Sequence, residues 1–266
     1  MPSYVIVGAS RGIGLGYLQH LAADPSNTVI GIARTPSSVP QIPNATILQG
    51  DLTSASSLHA AAAKAATLIP NGAVDHLIVN GVYASDSTAF INPSEFVGEP
   101  KESLLLSELQ NSISTNVVGV VYAINAFLPL VRKSQIKKVV AISTGLADIK
   151  LLEDAEYTGA IPYTTSKLAL NMVVAQYAIE FKKEGVLFLA LSPGLVQTRD
   201  VDPSTLPQEV QEGMARMGAG FAKVYPEFKG PITVEESVPM QLKVIDGLTQ
   251  EKSGQFLSHL GTQQWL

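Results

Sequence analysis

Short apolar runs alternate along this chain with longer stretches whose apolar positions recur three and four residues apart. Tyr4-Val5-Ile6-Val7 opens the series as a strand, and Leu15, Leu18 and Leu21 mark a helix that ends near Asp24-Pro25. The alternation then repeats. Thr28 to Ala33 predicts a second strand, Ala45 to Leu48 a third, and an alanine-rich helix follows from about Ser54 to Ile69. Asp75 to Gly81 is a fourth strand with its exit, while Tyr83 to Ser107 shows little periodicity and reads as loop. Helical spacing resumes at Ile113, Val117, Val120, Val121, Ile124 and Leu128, followed by strand Lys138 to Ile142 and its exit Ser143-Thr144-Gly145. After a loop from Gly145 to Pro162, Leu168, Leu170, Val173, Val174, Tyr177, Ala178 and Phe181 predict a helix running towards Gly185. Strand Val186 to Leu191, helix Val234 to Leu248 and strand Gln255 to Ser258 complete the series. The segment 201–231 holds four prolines and reads as a lid-like insertion with one short helix at Gln208 to Met217. Strands alternating with helices predict an α/β fold, a doubly wound parallel sheet of about seven strands with helices on both faces. No repeat or linker breaks it, so 1–266 reads as one domain.

Composition narrows the function classes. Of 266 residues, 46% are hydrophobic and 15% charged, which describes a packed globular chain. A net charge of −5 gives no support to nucleic-acid binding. With no cysteine there is neither a disulfide framework nor a thiolate metal site, and His20, His59, His76 and His259 lack paired metal-ligand spacing. No basic leader precedes Tyr4, and no uncharged apolar run reads as long enough to span a bilayer, so a cytoplasmic protein without a membrane partner is expected.

Two stretches carry the chemistry. Gly8-Ala9-Ser10-Arg11-Gly12-Ile13-Gly14 stands between the first strand and its helix, where glycines let the backbone turn tightly against a pyrophosphate at a helix N-terminus. The plain alternative is an ordinary strand-to-helix turn, and three glycines in seven residues favour the dinucleotide. NAD binding places an acidic residue about 20 residues beyond such a loop. Here Arg34 stands 20 residues after Gly14 and Thr35-Pro36-Ser37-Ser38 adds no carboxylate, which favours the 2′-phosphate of NADP over a merely solvated arginine. Arg11 adds a second positive charge. Tyr163-Thr164-Thr165-Ser166-Lys167 is the other stretch, with Pro162 suited to a helix start. Residues four apart share a helix face, so Tyr163 and Lys167 stand side by side, and a positive charge lowers a phenol pKa from its usual ~10. Taken alone, a helix surface with one tyrosine and one lysine is the better explanation, because this spacing is common by chance.

Taken in order, these residues resemble the short-chain dehydrogenase/reductase family over essentially the whole chain. Gly8, Gly12 and Gly14 match its glycine motif, Tyr163 and Lys167 its Tyr-x-x-x-Lys, Asn116 its helix asparagine, and Pro193-Gly194 with Thr198 its Pro-Gly stretch. Within the family the chain is similar to fungal ketoreductases of the norsolorinic-acid reductase type and to sniffer-like carbonyl reductases, through Ser166 to Met172 and Ser253 to Leu257. Two departures stand out. Val79-Asn80-Gly81-Val82 replaces the usual Asn-Asn-Ala-Gly, and Thr144 aligns with the usual catalytic serine, with Ser143 one residue earlier as the other candidate. Threonine keeps the hydroxyl but restricts its rotamer.

The resemblance implies that NADP(H) contacts Gly8, Ser10, Arg11, Gly12, Ile13, Gly14, Arg34, Asp51, Leu52, Asn80, Gly81, Tyr163, Lys167, Pro193, Gly194, Val196 and Thr198. It implies hydride transfer to a ketone or aldehyde of a hydrophobic, aromatic or polyketide small molecule. Thr144 or Ser143 would bond the carbonyl oxygen, Tyr163 would donate the proton, Lys167 would lower the Tyr163 pKa and hold the nicotinamide ribose, and Asn116 would place a water for proton relay. The alternative for Asn116 is purely local bonding, and for Thr198, expected on the carboxamide, a helix cap. The pocket wall is expected from Tyr83, the loop after Gly145, and the lid, whose Met214, Met217 and Phe221 either face substrate or pack the lid down. The resemblance also implies a homodimer or homotetramer built on the Asn116 and Tyr163 helices, with Tyr122, Phe127, Leu168, Met172 and Val173 at the contact. Two competing readings remain: a nucleotide-binding member with a non-redox role (isomerase, dehydratase or regulator), and oxidation of a secondary alcohol with NAD.

Overall fold

Successive strand residues point to opposite sides of a sheet, and in this chain both sides are apolar. In the computed structural model, which describes residues 1–266 except the side chain of Pro203, that pattern divides the molecule into two cores. Val5, Val7, Leu77, Val79, Val139, Ala141, Phe188 and Ala190 face one of them, packed against helices over Ala55–Leu68 (α2), Gly119–Val131 (α4) and Ile161–Glu180 (α6). Tyr4, Ile6, Ile78, Val140, Ile142, Leu189 and Leu191 face the other, under the helices Gly12–Ala22 (α1) and Val234–Asp246 (α8). The strands are Ser3–Val7 (β1), Thr28–Ala33 (β2), Ala45–Gln49 (β3), His76–Val79 (β4), Lys138–Ile142 (β5), Leu187–Ser192 (β6) and Phe256–Ser258 (β7). All neighbours are parallel, in the order β3-β2-β1-β4-β5-β6-β7. The winding reverses between β1 and β4, and open α/β sheets bind ligands in the crevice at such a reversal. The exits of β1, β4, β5 and β6 therefore gather there.

The structure corrects four sequence expectations. Helix Lys101–Ile113 (α3) begins inside the stretch read as loop, although its Leu105, Leu109 and Ile113 recur at helical spacing. A π-helical turn, Ser114–Val118, joins it to α4. The resulting helix over Lys101–Val131 is long and apolar enough to cross a membrane by length and composition, which the interleaved polar residues from Gln110 to Asn116 concealed. Half of its most apolar window is buried inside the fold. Within the loop after Gly145, Ile149–Asp154 (α5) forms a short helix capped by Asp148, whose Oδ1 accepts from Lys150 N at 3.0 Å. The lid helix (α7) spans Gln208–Val224 and is longer than predicted, continuing through Gly218 and Gly220.

Phe221 is 2% exposed and joins Leu151, Ala155 and Trp265 in a third, small cluster, with Met217 packed against it, while Met214 stays exposed. Met217 and Phe221 thus hold the lid to the body of the molecule.

Candidate active site

The glycine loop is shaped by backbone contacts that admit no side chain. Gly8 has φ +85°, and a Cβ there would stand 2.4 Å from the Gly81 Cα. At Gly14 a Cβ would meet the Gly8 carbonyl oxygen at 2.1 Å. The Asn80 amide ties the two loops together by donating from Nδ2 to Gly8 O at 3.0 Å, while Leu52, buried, fills the space beneath Gly81 and Gly119. Arg11 precedes α1, and Arg34 leaves β2. Both are exposed and neither joins an ion pair among the described residues. Ser10 is half-buried in the loop, and Ile13 turns onto the α1 side of the sheet. Asp51 is spent locally, its Oδ1 accepting from Thr53 N and Oγ1, each at 2.9 Å.

On the far side of the crevice the exit of β5 separates its two hydroxyls. Ser143 continues the strand, is 2% exposed, and donates from Oγ to Asn171 Oδ1 at 2.7 Å. Thr144, next along, points the other way and stands near enough to the Tyr163 phenol to lower its pKa. Thr144 Oγ1 also accepts from Leu146 N at 3.3 Å, capping the 3₁₀ turn Gly145–Ala147.

Lys167 lies one turn beyond Tyr163 and is 2% exposed, with Nζ donating to Ile142 O at 2.7 Å. Burial disfavours its ammonium and brings its pKa down to about 7. This revises the expected electrostatics. The Tyr163 pKa is raised, because burial outweighs the nearby Thr144 hydroxyl that lowers it. Tyr163 therefore holds its proton firmly at neutral pH.

Asn116 sits fully buried in the π-helical turn, a form that recurs at functional sites. Its Oδ1 accepts from Tyr83 N at 2.8 Å, and its Nδ2 donates to Tyr83 O at 2.8 Å and to Ser166 Oγ at 2.9 Å. Ser166 Oγ in turn donates to Tyr163 O at 2.7 Å. Its role was not foreseen, although a serine three residues after the tyrosine is a regular back-bonding position on a helix. Tyr83, expected in the pocket wall, is bound backward to Asn116 and donates its hydroxyl to Glu108 Oε1 at 3.2 Å.

Beyond β6, Pro193 O accepts from Ser237 Oγ at 2.6 Å, and Gly194 lies against the His259 ring. Val196 bridges to Ile232, and exposed Thr198 closes on Gly12, whose Cβ position is 3.2 Å from the Thr198 Cβ. A cleft of about 220 Å³ opens between the β4 exit loop, the segment before α6, and α7, lined by Phe90, Tyr157, Gly159, Gly213, Arg216 and Met217 among others. Tyr157 donates to Ala89 O at 2.8 Å, and burial together with the nearby Tyr163 lifts its pKa to about 12.

Residues 3–208 match the family model described as short chain dehydrogenase. The chain belongs to the short-chain dehydrogenase family. A relative from Aspergillus aculeatus, the short-chain dehydrogenase/reductase AacuF, is 41% identical over 274 residues, covering 100% of both chains. Among solved structures, NADPH-bound carbonyl reductase from chicken fatty liver is 26% identical with a TM-score of 0.75, over 98% of this chain and 93% of that one. Carbonyl reductase Sniffer of D. melanogaster shares the fold at a TM-score of 0.76 and 21% identity, covering 98% of each chain. This short-chain dehydrogenase is accordingly an oxidoreductase acting between carbonyl and alcohol groups of a small molecule, with a nicotinamide dinucleotide as cofactor. The residues present fit that group. Gly8 and Gly14 pack too closely on Gly81 and on the Gly8 carbonyl to admit a Cβ, which holds the loop tight against the N-terminus of α1. There a diphosphate has backbone N–H groups to approach, and Lys167, Thr144 and Tyr163 stand together across the crevice.

Proposed function

We propose that this short-chain dehydrogenase uses NADPH to reduce a ketone or aldehyde carried by a hydrophobic, aromatic or polyketide-like small molecule. The observation that carries the reading is the convergence of the Thr144 and Tyr163 hydroxyls beside buried Lys167, facing a glycine cradle flanked by two arginines that join no ion pair among the described residues. When bound, the nicotinamide supplies hydride to the carbonyl carbon.

The chain's own residues do the rest. Thr144 and Tyr163 present two hydroxyls to one carbonyl oxygen, and Tyr163, protonated at neutral pH, gives its proton as negative charge builds there. Such general acid catalysis contributes on the order of 100- to 10,000-fold. Lys167, with a pKa of about 7, gains or loses a proton readily in the working range. Asn116 and Ser166 hold the first turn of α6, and with it the Tyr163 backbone, in register with the Tyr83 loop.

Arg11 and Arg34 support NADPH over NADH, since no carboxylate follows Arg34 to read a ribose 2′-hydroxyl. The NADPH in the chicken carbonyl reductase supports the same choice. Incubation with NADPH or NADH and a panel of aryl ketones, followed at the cofactor absorbance, tests the activity. Arg34→Ala should weaken NADPH and leave NADH nearly unchanged, and equal affinities in the unmodified protein would sink the preference.

The second part of the proposal is pairing of two copies. Leu168, Met172 and Ile179 stand exposed along one face of α6, with Val118 beside the α4 start and Tyr122 within α4. Phe127, expected at that contact, is instead buried in the core, and Val173 is half-buried.

A further inference from the structure

The wall beside Thr144 is finished by a residue that no motif contains. Trp265 is the only tryptophan of the chain, lies 120 positions beyond Gly145, and is 2% exposed. Its Cβ and Cγ stand 2.7 and 3.0 Å from where a Gly145 Cβ would be, so the side chain lies directly on the backbone that follows Thr144. Its indole Nε1 donates to Asp148 Oδ2 at 2.6 Å. Gly145 and Asp148 are the two ends of the 3₁₀ turn capped by Thr144, and Asp148 N donates to Gly145 O at 2.9 Å to close that turn. One side chain thus clamps the turn at its start by packing and at its end by a charge-assisted hydrogen bond.

Trp265 is itself fixed from behind. Its ring stacks on Phe256 of β7, with centroids 4.2 Å apart and planes at 20°. Its backbone N donates at 3.0 Å to the hydroxyl of Tyr225, which closes the C-terminal end of lid helix α7. The indole therefore connects the sheet edge and the lid to the turn bearing the hydroxyl that stands beside the Tyr163 phenol.

The geometry points to Trp265 as a positioning residue for carbonyl reduction, acting through Gly145 and Asp148 to hold the Thr144 hydroxyl where Tyr163 and a carbonyl oxygen meet. The inference rests on the role proposed for Thr144. Alignment of a hydrogen-bond donor is steep in its effect, and a displacement of about 1 Å costs on the order of 100-fold.

The test is a double-mutant cycle with steady-state kinetics on a reduced ketone. Trp265→Phe keeps an aromatic ring for Phe256 and Gly145 and removes the Nε1 donor. It should lower kcat by roughly 10- to 100-fold while leaving the ketone KM and the NADPH affinity, read from the fluorescence of NADPH itself, essentially unchanged. Placed in a Thr144→Ala background, the same substitution should cause no further loss. Equal losses in both backgrounds would show that Trp265 does not act through Thr144 and overturn the inference, as would unchanged kcat in both Trp265→Phe and Trp265→Leu with circular dichroism intact. A Thr144→Ala protein as active as the unmodified one would instead refute the role of the hydroxyl, and the route through it with it.

Discussion

At the scale of single residues, β5 delivers two hydroxyls to two different tasks. Thr144→Val keeps the shape and removes the donor, so turnover should fall by ~100-fold or more, as when one oxyanion-type hydrogen bond is lost. Ser143→Ala should leave turnover nearly intact and lower the melting temperature instead, because it strips a buried bond from Asn171. Steady-state kinetics and a thermal melt on both variants separate the two. Lys167 gives a second prediction. Its folded pKa of about 7 lies below the usual lysine value, so between about pH 7 and 10 the unfolded chain binds a proton that the folded one does not. Stability of the protein without cofactor should therefore rise with pH across that window, by at most about 1.4 kcal/mol per pH unit, the penalty being full below pH 7. Above about pH 10 the raised Tyr163 pKa acts in the opposite sense, because the folded state then keeps a proton that the unfolded one loses. Urea unfolding of Lys167→Met should show a flatter slope. A slope equal to that of the unmodified protein would contradict the assignment.

At the scale of elements, the site depends on how α6 is joined to the π-helical turn. Ser166 accepts from Asn116 and donates to Tyr163 O, so Ser166→Ala removes two hydrogen bonds that tie α6 to the π-helical turn. A stability loss of ~1–3 kcal/mol is expected from denaturant unfolding. A fall in kcat should accompany it, since the same bonds hold the first turn of α6. The sequence announced these elements unequally. The seven strands were legible because each is a short apolar run, the central ones buried on both faces, and α6 because Tyr163, Lys167, Leu170 and Val174 mark one face. α3 went unread although Leu105, Leu109 and Ile113 recur at helical spacing, because its buried residues, Glu108 and Ser112, are polar. The choice between Ser143 and Thr144 could not be read from local pattern at all. It depends on Asn171, 28 residues away, taking up the first hydroxyl. Trp265 carried no signal for the same reason, its partners being set by tertiary contact alone.

At the scale of the whole molecule, the exposed apolar face of α6 predicts the assembly. Met172 is 64% exposed and Leu168 45%, one helical turn apart. If two copies pair there as proposed, light scattering at micromolar concentration should report at least twice the 28.2 kDa of one chain. Met172→Glu should shift the mass towards one chain by placing a charge in the contact. A single-chain mass for the unmodified protein would refute the pairing.

The way the site is assembled along the chain has a consequence during synthesis. The glycine cradle lies within the first 14 residues, but the clamp on the Thr144 turn waits for Trp265. At a ribosomal pace of about 5–20 residues per second, roughly ten to fifty seconds separate the two. Tyr17 and Gln241, bonded at 2.7 Å across 224 residues, impose the same wait on the packing of α1 against α8. A nascent chain thus carries every glycine of the loop while the turn that follows Thr144 is still unsupported, and that support arrives only when the last strand has joined the sheet.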